Sequence, residues 1–249
     1  MRIDVFFGTA GLTTNDTSGR VVVVIDVLRA STSIATALAN GARAVIPVDS
    51  TDEVVMRAKA FARSEVKLAG ERQMRPIPGF DLGNSPREFA REAVEGKTVL
   101  LSTTNGTSAI AVLQQGPRDV VIGAYVNFSA VLAMLRTALR GGTDVAILCA
   151  GREKQFSLED AACAGRYVHH ATRRRADVAL NDAAFAAMLI DRRYSDNLMR
   201  LFSASAHGRA LSEAGYGEDL TDCAAIDSYP VIPIYQERQI TKLGPERAR

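Results

Sequence analysis

Acids, guanidiniums and small hydroxyls gather at two corners of this chain, and together such groups hold a cation beside an anion. The first corner is VVVVIDVLRAST, residues 21–32. Asp26 falls where an apolar strand should end, Arg29 follows in a short loop, and Ser31 and Thr32 sit where a helix would be capped. In open α/β sheets, ligands bind outside the carboxyl ends of strands, where helix starts also present unpaired N–H groups. The plainer alternative makes Asp26 and Ser31 simple caps and leaves Arg29 on the surface. The second corner is STTNGT, residues 102–107, where Thr103, Thr104, Asn105, Gly106 and Thr107 supply neutral donors. Between the corners, residues 70–85 (GERQMRPIPGFDLGNS) contribute Glu71, Arg72, Asp81 and Asn84, and Asp160 heads a later helix. Hard carboxylate oxygens suit magnesium, which one or two acids hold together with substrate phosphate and water. Backbone amides at helix starts and beside Asn-Gly suit phosphate oxygens. The residues therefore favour a Mg²⁺-assisted reaction on a small anionic phosphate ester.

The elements that must position them alternate. Residues 2–7, 21–25, 44–48, 66–69, 98–101, 120–122 and 144–149 read as strands, and helical runs lie between most of them, including 30–39, 51–63 and 125–139. Two prolines and three glycines keep residues 70–85 out of regular structure, up to a helix start with Ser85 as N-cap, Pro86 first in the helix and Glu88 at the capping-box site. Further helices follow from Leu158 and within 181–215, then short extended segments in 219–234 and a charged tail. This rhythm predicts a three-layer α/β/α fold around a mainly parallel or mixed sheet. VVVIDVLRASTSIA and TVLLSTTNGTSAIA align without a gap at an offset of about 76 positions, placing Asp26 on Ser102 and Ser31 on Thr107. Each helix leads past a glycine, Gly41 or Gly116, into another apolar strand. The expectation is one domain over residues 1–249, built from a duplicated strand-corner-helix-strand unit, with pseudo-repeated lobes of about 1–96 and 97–240.

Composition excludes several classes. A net charge of +2 with scattered Lys and Arg gives no nucleic-acid surface, and the densest basic run, Arg173 to Arg175, reads as a solvated helix end. Three cysteines without a CxxC pair make neither a disulfide framework nor a zinc knuckle. No run is apolar and long enough for a membrane span, and the start lacks a signal-peptide pattern, so the expected compartment is the cytoplasm. Dinucleotide, P-loop and GxSxG fingerprints are missing. His169, His170 and His207 lack metal-site spacing, and the first two fall in a helical run. Small residues over 179–190 suit close packing in a core or across a two-fold axis, and a homodimer is expected because homodimers are the commonest oligomers.

IDVLRAST, GER, GFDLGNSP, STTNGT, the CAG-R turn and the following LED together resemble the 2-phosphosulfolactate phosphatase family, and the HG and acidic elements at His207, Asp222 and Asp227 extend the likeness over nearly the whole chain. The resemblance implies a magnesium-dependent hydrolysis of phosphosulfolactate to sulfolactate and phosphate, a step of coenzyme M biosynthesis. It implies a fold distinct from haloacid-dehalogenase phosphatases, which suits an Asp26 followed by Val27 and Leu28 rather than by a second aspartate. Carried over, Asp26, Arg29, Ser31, Thr32, Glu71, Arg72, Asp81, Asn84 and Thr103 to Thr107 line the site. From their chemistry, Asp26, Glu71, Asp81 and Asp160 are the expected metal ligands, and Arg29 or Arg72 the charge neutraliser. The nucleophile stays open between a metal-activated water, Asp26 and Cys149. Another small phosphorylated hydroxy acid as substrate remains a rival. So does a non-catalytic phosphate-binding module, although that would not need four loop acids.

Overall fold

The computed structural model describes residues 1–113, 116–153 and 155–244. Among them eleven strands form one sheet: β1 (Arg2–Phe6), β2 (Val21–Ile25), β3 (Ala44–Pro47), β4 (Val66–Arg72), β5 (Arg75–Pro76), β6 (Thr98–Ser102), β7 (Asp119–Gly123), β8 (Val145–Cys149), β9 (Ala179–Leu180), β10 (Pro233–Gln236) and β11 (Gln239–Lys242). Their order is β5-β4-β6-β3-β11-β10-β7-β2-β8-β1-β9. β4, β6 and β3 run parallel to one another, as do β7, β2, β8, β1 and β9. The β10–β11 hairpin is antiparallel to β7 on one side and to β3 on the other, and so joins the two parallel sets.

The two strand-corner-helix-strand units interlock in this order. β2 leads through the helix Ala30–Ala39 to β3, and β6 leads through the helix Gly106–Ala111 to β7. Yet β2 lies beside β7 and β6 beside β3, so each unit places one strand in each parallel set. The strand period of two explains how the layers form. Val22 and Val24 face a core shared with Ile34, Leu38, Ala109 and Ile110 of the two unit helices, together with Val99 and Leu101 of β6. Val21, Val23 and Ile25 face the opposite layer, where the helices Phe128–Arg140 and Leu158–Thr172 supply Val131, Leu135, Tyr167 and Val168. Being buried on both faces is why β2 reads as an uninterrupted apolar run.

Two hairpins differ from the sequence expectation for one reason. β4 runs on to Arg72 and turns at Gln73 and Met74 (φ 52° and 69°) into β5, inside the stretch expected to be irregular. The hairpin β10–β11 turns at Glu237 and Arg238 (φ 50° and 62°), largely within the expected charged tail. Both turns place two successive residues at positive φ, the conformation that Asn-Gly ordinarily signals. Without those residue types neither hairpin announces itself. The segment expected to be extended from residue 219 begins instead as the helix Gly217–Cys223, and residues 245–249 of the tail lie outside the described residues. The helix from Thr51 stops at Ala58 rather than near residue 63, and Ser85 opens only a 3-10 turn, Pro86–Phe89.

Ile240 is fully buried where β11 meets β3, so the central join depends on it. Ile240→Ala should lower the unfolding free energy by about 2–5 kcal/mol, the range for emptying a core position of this size. Urea denaturation of the two proteins measures the difference.

Candidate active site

A cavity of about 490 Å³ opens where both corners meet. At the first corner the Ser31 N–H donates to the Asp26 carbonyl (2.8 Å), and the Asp26 N–H donates to Ser31 Oγ (2.9 Å). The Thr32 hydroxyl donates to the Val27 carbonyl (2.9 Å). Ser31 and Thr32 therefore close the corner and, contrary to expectation, do not line the cavity. Asp26 does line it. One carboxylate oxygen accepts the Ala30 N–H (3.3 Å), and the other lies against Gly106. A β-carbon on Gly106 would stand 2.8 Å from Asp26 Oδ2 and 2.7 Å from the Ala30 β-carbon, so only glycine lets the second corner come this close.

At that second corner Thr103, Thr104 and Asn105 reach the cavity. Thr107 does not. Its hydroxyl donates to the Thr103 carbonyl (2.9 Å) and its N–H to Thr103 Oγ1 (3.3 Å), which locks the turn. Glu71 bridges the corner to the β4 hairpin, accepting the Thr104 N–H on one oxygen and the Met74 N–H on the other, both at 2.8 Å. Arg72 braces β4 to β6 through the Ser102 carbonyl (3.1 Å) and hydroxyl (2.8 Å) and does not line the cavity, whereas Arg29, the other candidate for neutralising charge, does. Gly70 allows that close strand approach, since a β-carbon there would lie 2.2 Å from the Ser102 carbonyl oxygen. Asp81 is also absent from the cavity. It is paired with Arg63 and accepts the Leu68 N–H (2.9 Å) at the far side of the β4 loop. Asn84 stays on the cavity wall, and its side-chain oxygen is buried without a protein donor.

Behind the cavity, Asp160 accepts the Val27 N–H (2.9 Å) and the Gly151 N–H (3.1 Å), fastening the turn after β2 to the turn after β8. It supports Asp26 from beneath rather than lining the cavity, and burial, with Asp26 and Glu159 nearby, pushes its carboxyl well above the usual range. Cys149 faces the helical core, away from the cavity, and burial raises its thiol well above the ordinary value, which removes it as a nucleophile. Arg29 is buried on the cavity wall. It is held by Asp219 (2.6 Å), by the Met74 carbonyl (3.2 Å) and by the Tyr216 ring (4.3 Å from the centroid), and the Ser85 hydroxyl fixes Asp219 in turn (2.6 Å).

Four participants were not among the expected site residues, Arg75, Arg152, His207 and Glu159, although the CAG-R, HG and LED blocks hold the last three. Arg75 and Arg152 stand on the cavity wall, the first in a hairpin hidden by its turn residues, the second in the CAG-R turn. His207 lines the cavity and sets Nδ1 3.4 Å from Glu159 Oε1. Burial alone would raise Glu159, yet the hydrogen bond and charge of His207 hold its carboxyl below the usual range. Glu159 stands in the first turn of the helix Leu158–Thr172, where an acid suits the helix start without any partner, and only the fold brings it to His207. Asp222 and Asp227 lie elsewhere, on Arg87 and on Ser129.

The cavity pairs oxygen donors with guanidiniums. Among the described residues no three or more His, Cys, Asp or Glu side chains converge as a metal cage. A cation would instead meet Asp26, Glu71 and Asn84, a small oxygen set of the kind magnesium completes with phosphate and water. Among the acids that line the cavity, Asp26 has less hydrogen-bond support than Glu71. Burial raises its carboxyl to about 6, the charge of Glu71 adds to the rise, and His207 opposes it.

Comparison with known proteins assigns the family. The model of the 2-phosphosulpholactate phosphatase family matches residues 8–238. A probable 2-phosphosulfolactate phosphatase of Symbiobacterium thermophilum is 41% identical over 226 residues, 91% of this chain and 95% of the relative. Similar proteins of the same name from Caldanaerobacter subterraneus (38% identical, 88% of each chain) and Nostoc punctiforme (34%, covering 95% of this chain and 96% of the relative) extend the likeness over almost the full length.

A raised carboxyl pKa means that the folded state binds the proton more tightly. The stability contributed by protonated Asp26 is complete below about pH 4 and lost as pH rises through about 6. That gap corresponds to about 3 kcal/mol. In chelator-treated protein, Asp26→Asn should therefore be the more stable form at pH 7, by up to about 3 kcal/mol, and lose the advantage near pH 4. Urea unfolding at the two pH values checks this. Gly106→Ala, which presses on Asp26, should cut kcat/KM about tenfold or more, a barrier increase of about 1.4 kcal/mol.

Proposed function

Because the chain belongs to the 2-phosphosulpholactate phosphatase family, we propose that it hydrolyses 2-phospho-3-sulfolactate to 3-sulfolactate and phosphate with Mg²⁺ as cofactor. The observation that carries this reading is the single cavity that joins Asp26, Glu71 and Asn84 to Arg29, Arg75 and Arg152. The step serves coenzyme M biosynthesis in this proposal, and its compartment is the cytoplasm. Asp26, Glu71 and Asn84 would hold the cation. Bound there, Mg²⁺ supplies Lewis-acid polarisation of the phosphoryl group and neutralises its charge.

The chain's own groups do the rest. The Thr103 hydroxyl and the Asn105 side-chain amide offer neutral donors to phosphate oxygens. Asn105 is oriented by the Glu153 N–H, which donates to its carbonyl oxygen (3.0 Å). Arg29, fixed by Asp219, presents a guanidinium to the charge that builds up during phosphoryl transfer. Arg75 and Arg152 face the sulfonate and carboxylate of the substrate. His207, oriented through Nδ1 by Glu159, donates a proton from Nε2 to the ester oxygen as its bond to phosphorus breaks. The water oxygen takes its place on phosphorus, and the proton the water loses returns to His207 once the products separate. The helix Asp182–Tyr194 exposes Phe185 and Leu189 one turn apart, 60% and 63% accessible, and we assign that face to a homodimer contact.

Phosphate release from 2-phosphosulfolactate should occur with Mg²⁺ and stop in excess chelator. Arg152→Gln should raise KM with kcat nearly unchanged, and His207→Gln should lower kcat at least tenfold. No release from this or any other phosphorylated hydroxy acid, with Mg²⁺ present, would overturn the catalytic reading. Light scattering should give the dimer mass, and Leu189→Glu the monomer mass.

A further inference from the structure

A second cavity, of about 430 Å³, has a wall built almost wholly of arginine. Arg136 and Arg140 come from the end of the helix Phe128–Arg140, and Arg173, Arg174 and Arg175 directly follow the helix Leu158–Thr172. These helices leave the carboxyl ends of β7 and β8 and run back along the sheet, so their last turns lie at the amino ends of the strands. The catalytic cavity is at the other edge, about 16 Å away along a five-residue strand.

Helix ends by themselves attract cations, and that would be the ordinary explanation of these arginines. The magnitudes do not match. Each helix end carries roughly half a negative charge. Asp177 takes Arg175 in a two-bond pair, both contacts at 2.8 Å. Arg136 donates to the His170 carbonyl (2.9 Å) and Arg140 to the Thr137 hydroxyl (2.9 Å), both neutral partners. Among the described residues none of Arg136, Arg140, Arg173 and Arg174 has an ion pair. Two helix ends and one aspartate thus offset about two of five positive charges, leaving an excess of roughly three in one cavity. That is more than the net charge of the whole chain, +2.

The backbone also departs from its easy conformation here. The Arg175 N–H closes a turn onto the Thr172 carbonyl (2.8 Å) with Arg174 at φ +66°, a left-handed position where glycine or asparagine is ordinarily favoured. An arginine occupies it. Guanidinium forks match phosphate oxygens two at a time, and a cavity of this volume takes a compact ligand rather than an extended strand. We propose that the cavity is a second anion site, distinct from the catalytic one, for a compact diphosphate, either inorganic or as an ester.

Isothermal titration of the chelator-treated protein with inorganic pyrophosphate tests it. Binding should weaken at least tenfold in Arg136→Gln/Arg173→Gln and in Arg140→Gln/Arg174→Gln. Both pairs should keep the unfolding midpoint and the phosphatase turnover, while Asp26→Asn should bind pyrophosphate like the wild type. Tighter binding of a nucleoside diphosphate would assign an ester ligand, and equal or weaker binding an inorganic one. The proposal is overturned by no binding, by unchanged affinity in both double variants, by loss of binding in Asp26→Asn, or by a single-stranded oligonucleotide that competes at equal affinity. None of these results bears on whether the other cavity hydrolyses a phosphate ester.

Discussion

Four carboxylates, Asp26, Glu71, Glu159 and Asp160, lie nearly out of water around one cavity, each 2–7% exposed. Isolated buried acids of this kind would take up protons rather than stay charged, so the surrounding chain has to compensate each one. Asp160 receives two backbone N–H groups, from Val27 and Gly151. Glu71 likewise receives those of Met74 and Thr104, and Glu159 has His207. Asp26 gets one long bond from Ala30, and its second oxygen faces the cavity with glycine beside it. The hydrogen-bond support is graded, while burial still pushes the doubly bonded Asp160 well above the usual range. The acid that faces the cavity with least support is the one whose carboxyl rises to about 6, and it has most to gain from a cation.

That grading requires the two corners to meet, which is the work of the topology. Neighbouring strands stand roughly 4.8 Å apart, and four strands separate β2 from β6 in the sheet order. The corners nevertheless touch, because the helices Ala30–Ala39 and Gly106–Ala111 pack in one core with residues of both parallel sets. The β10–β11 hairpin completes this arrangement by pairing with β7 and β3, so the last strands of the chain close a site built mostly from its first two-thirds. Glycine at 106 is the local condition of the same closure.

The parts visible in the sequence are those where local chemistry and global role agree. β2 reads as a buried strand because Val21 to Ile25 pack on both faces, and the corners read as corners because small hydroxyls and glycine follow strand ends. Asp26, Arg29, Glu71, Asn84 and Thr103 to Asn105 were legible on that basis, and they do share a cavity. Ser31, Thr32 and Thr107 look the same in sequence, but their hydroxyls close turns instead. Nothing local distinguishes a hydroxyl that caps from one that faces a cavity. Arg72 and Asp81 lie outside the cavity, which the sequence does not reveal because the β4 hairpin carries Gln-Met at its turn. The Glu159–His207 and Arg29–Asp219 pairs join residues 48 and 190 positions apart, so their partners exist only in the fold.

Arg29 and the two other cavity arginines differ in what they can do for an anion. Arg29 is matched by Asp219 at 2.6 Å and is almost completely buried, so the pair supplies direction and little net charge. Removing either partner would strand a buried charge, which typically costs about 3–5 kcal/mol. Arg75 and Arg152 have no ion-pair partner among the described residues and give the cavity its uncommitted positive charge. Against them stand Asp26 and Glu71, with Glu153 at the rim. Three acids thus face two uncommitted guanidiniums, with His207 beside Glu159 adding little to either side. The ionised cavity alone is not positive, and a substrate bearing phosphate, sulfonate and carboxylate would meet no net attraction. Two added charges from a divalent ion held by Asp26 and Glu71 would reverse that sign. The charge count of the wall therefore supports the proposed metal on a physical ground that is independent of any relative.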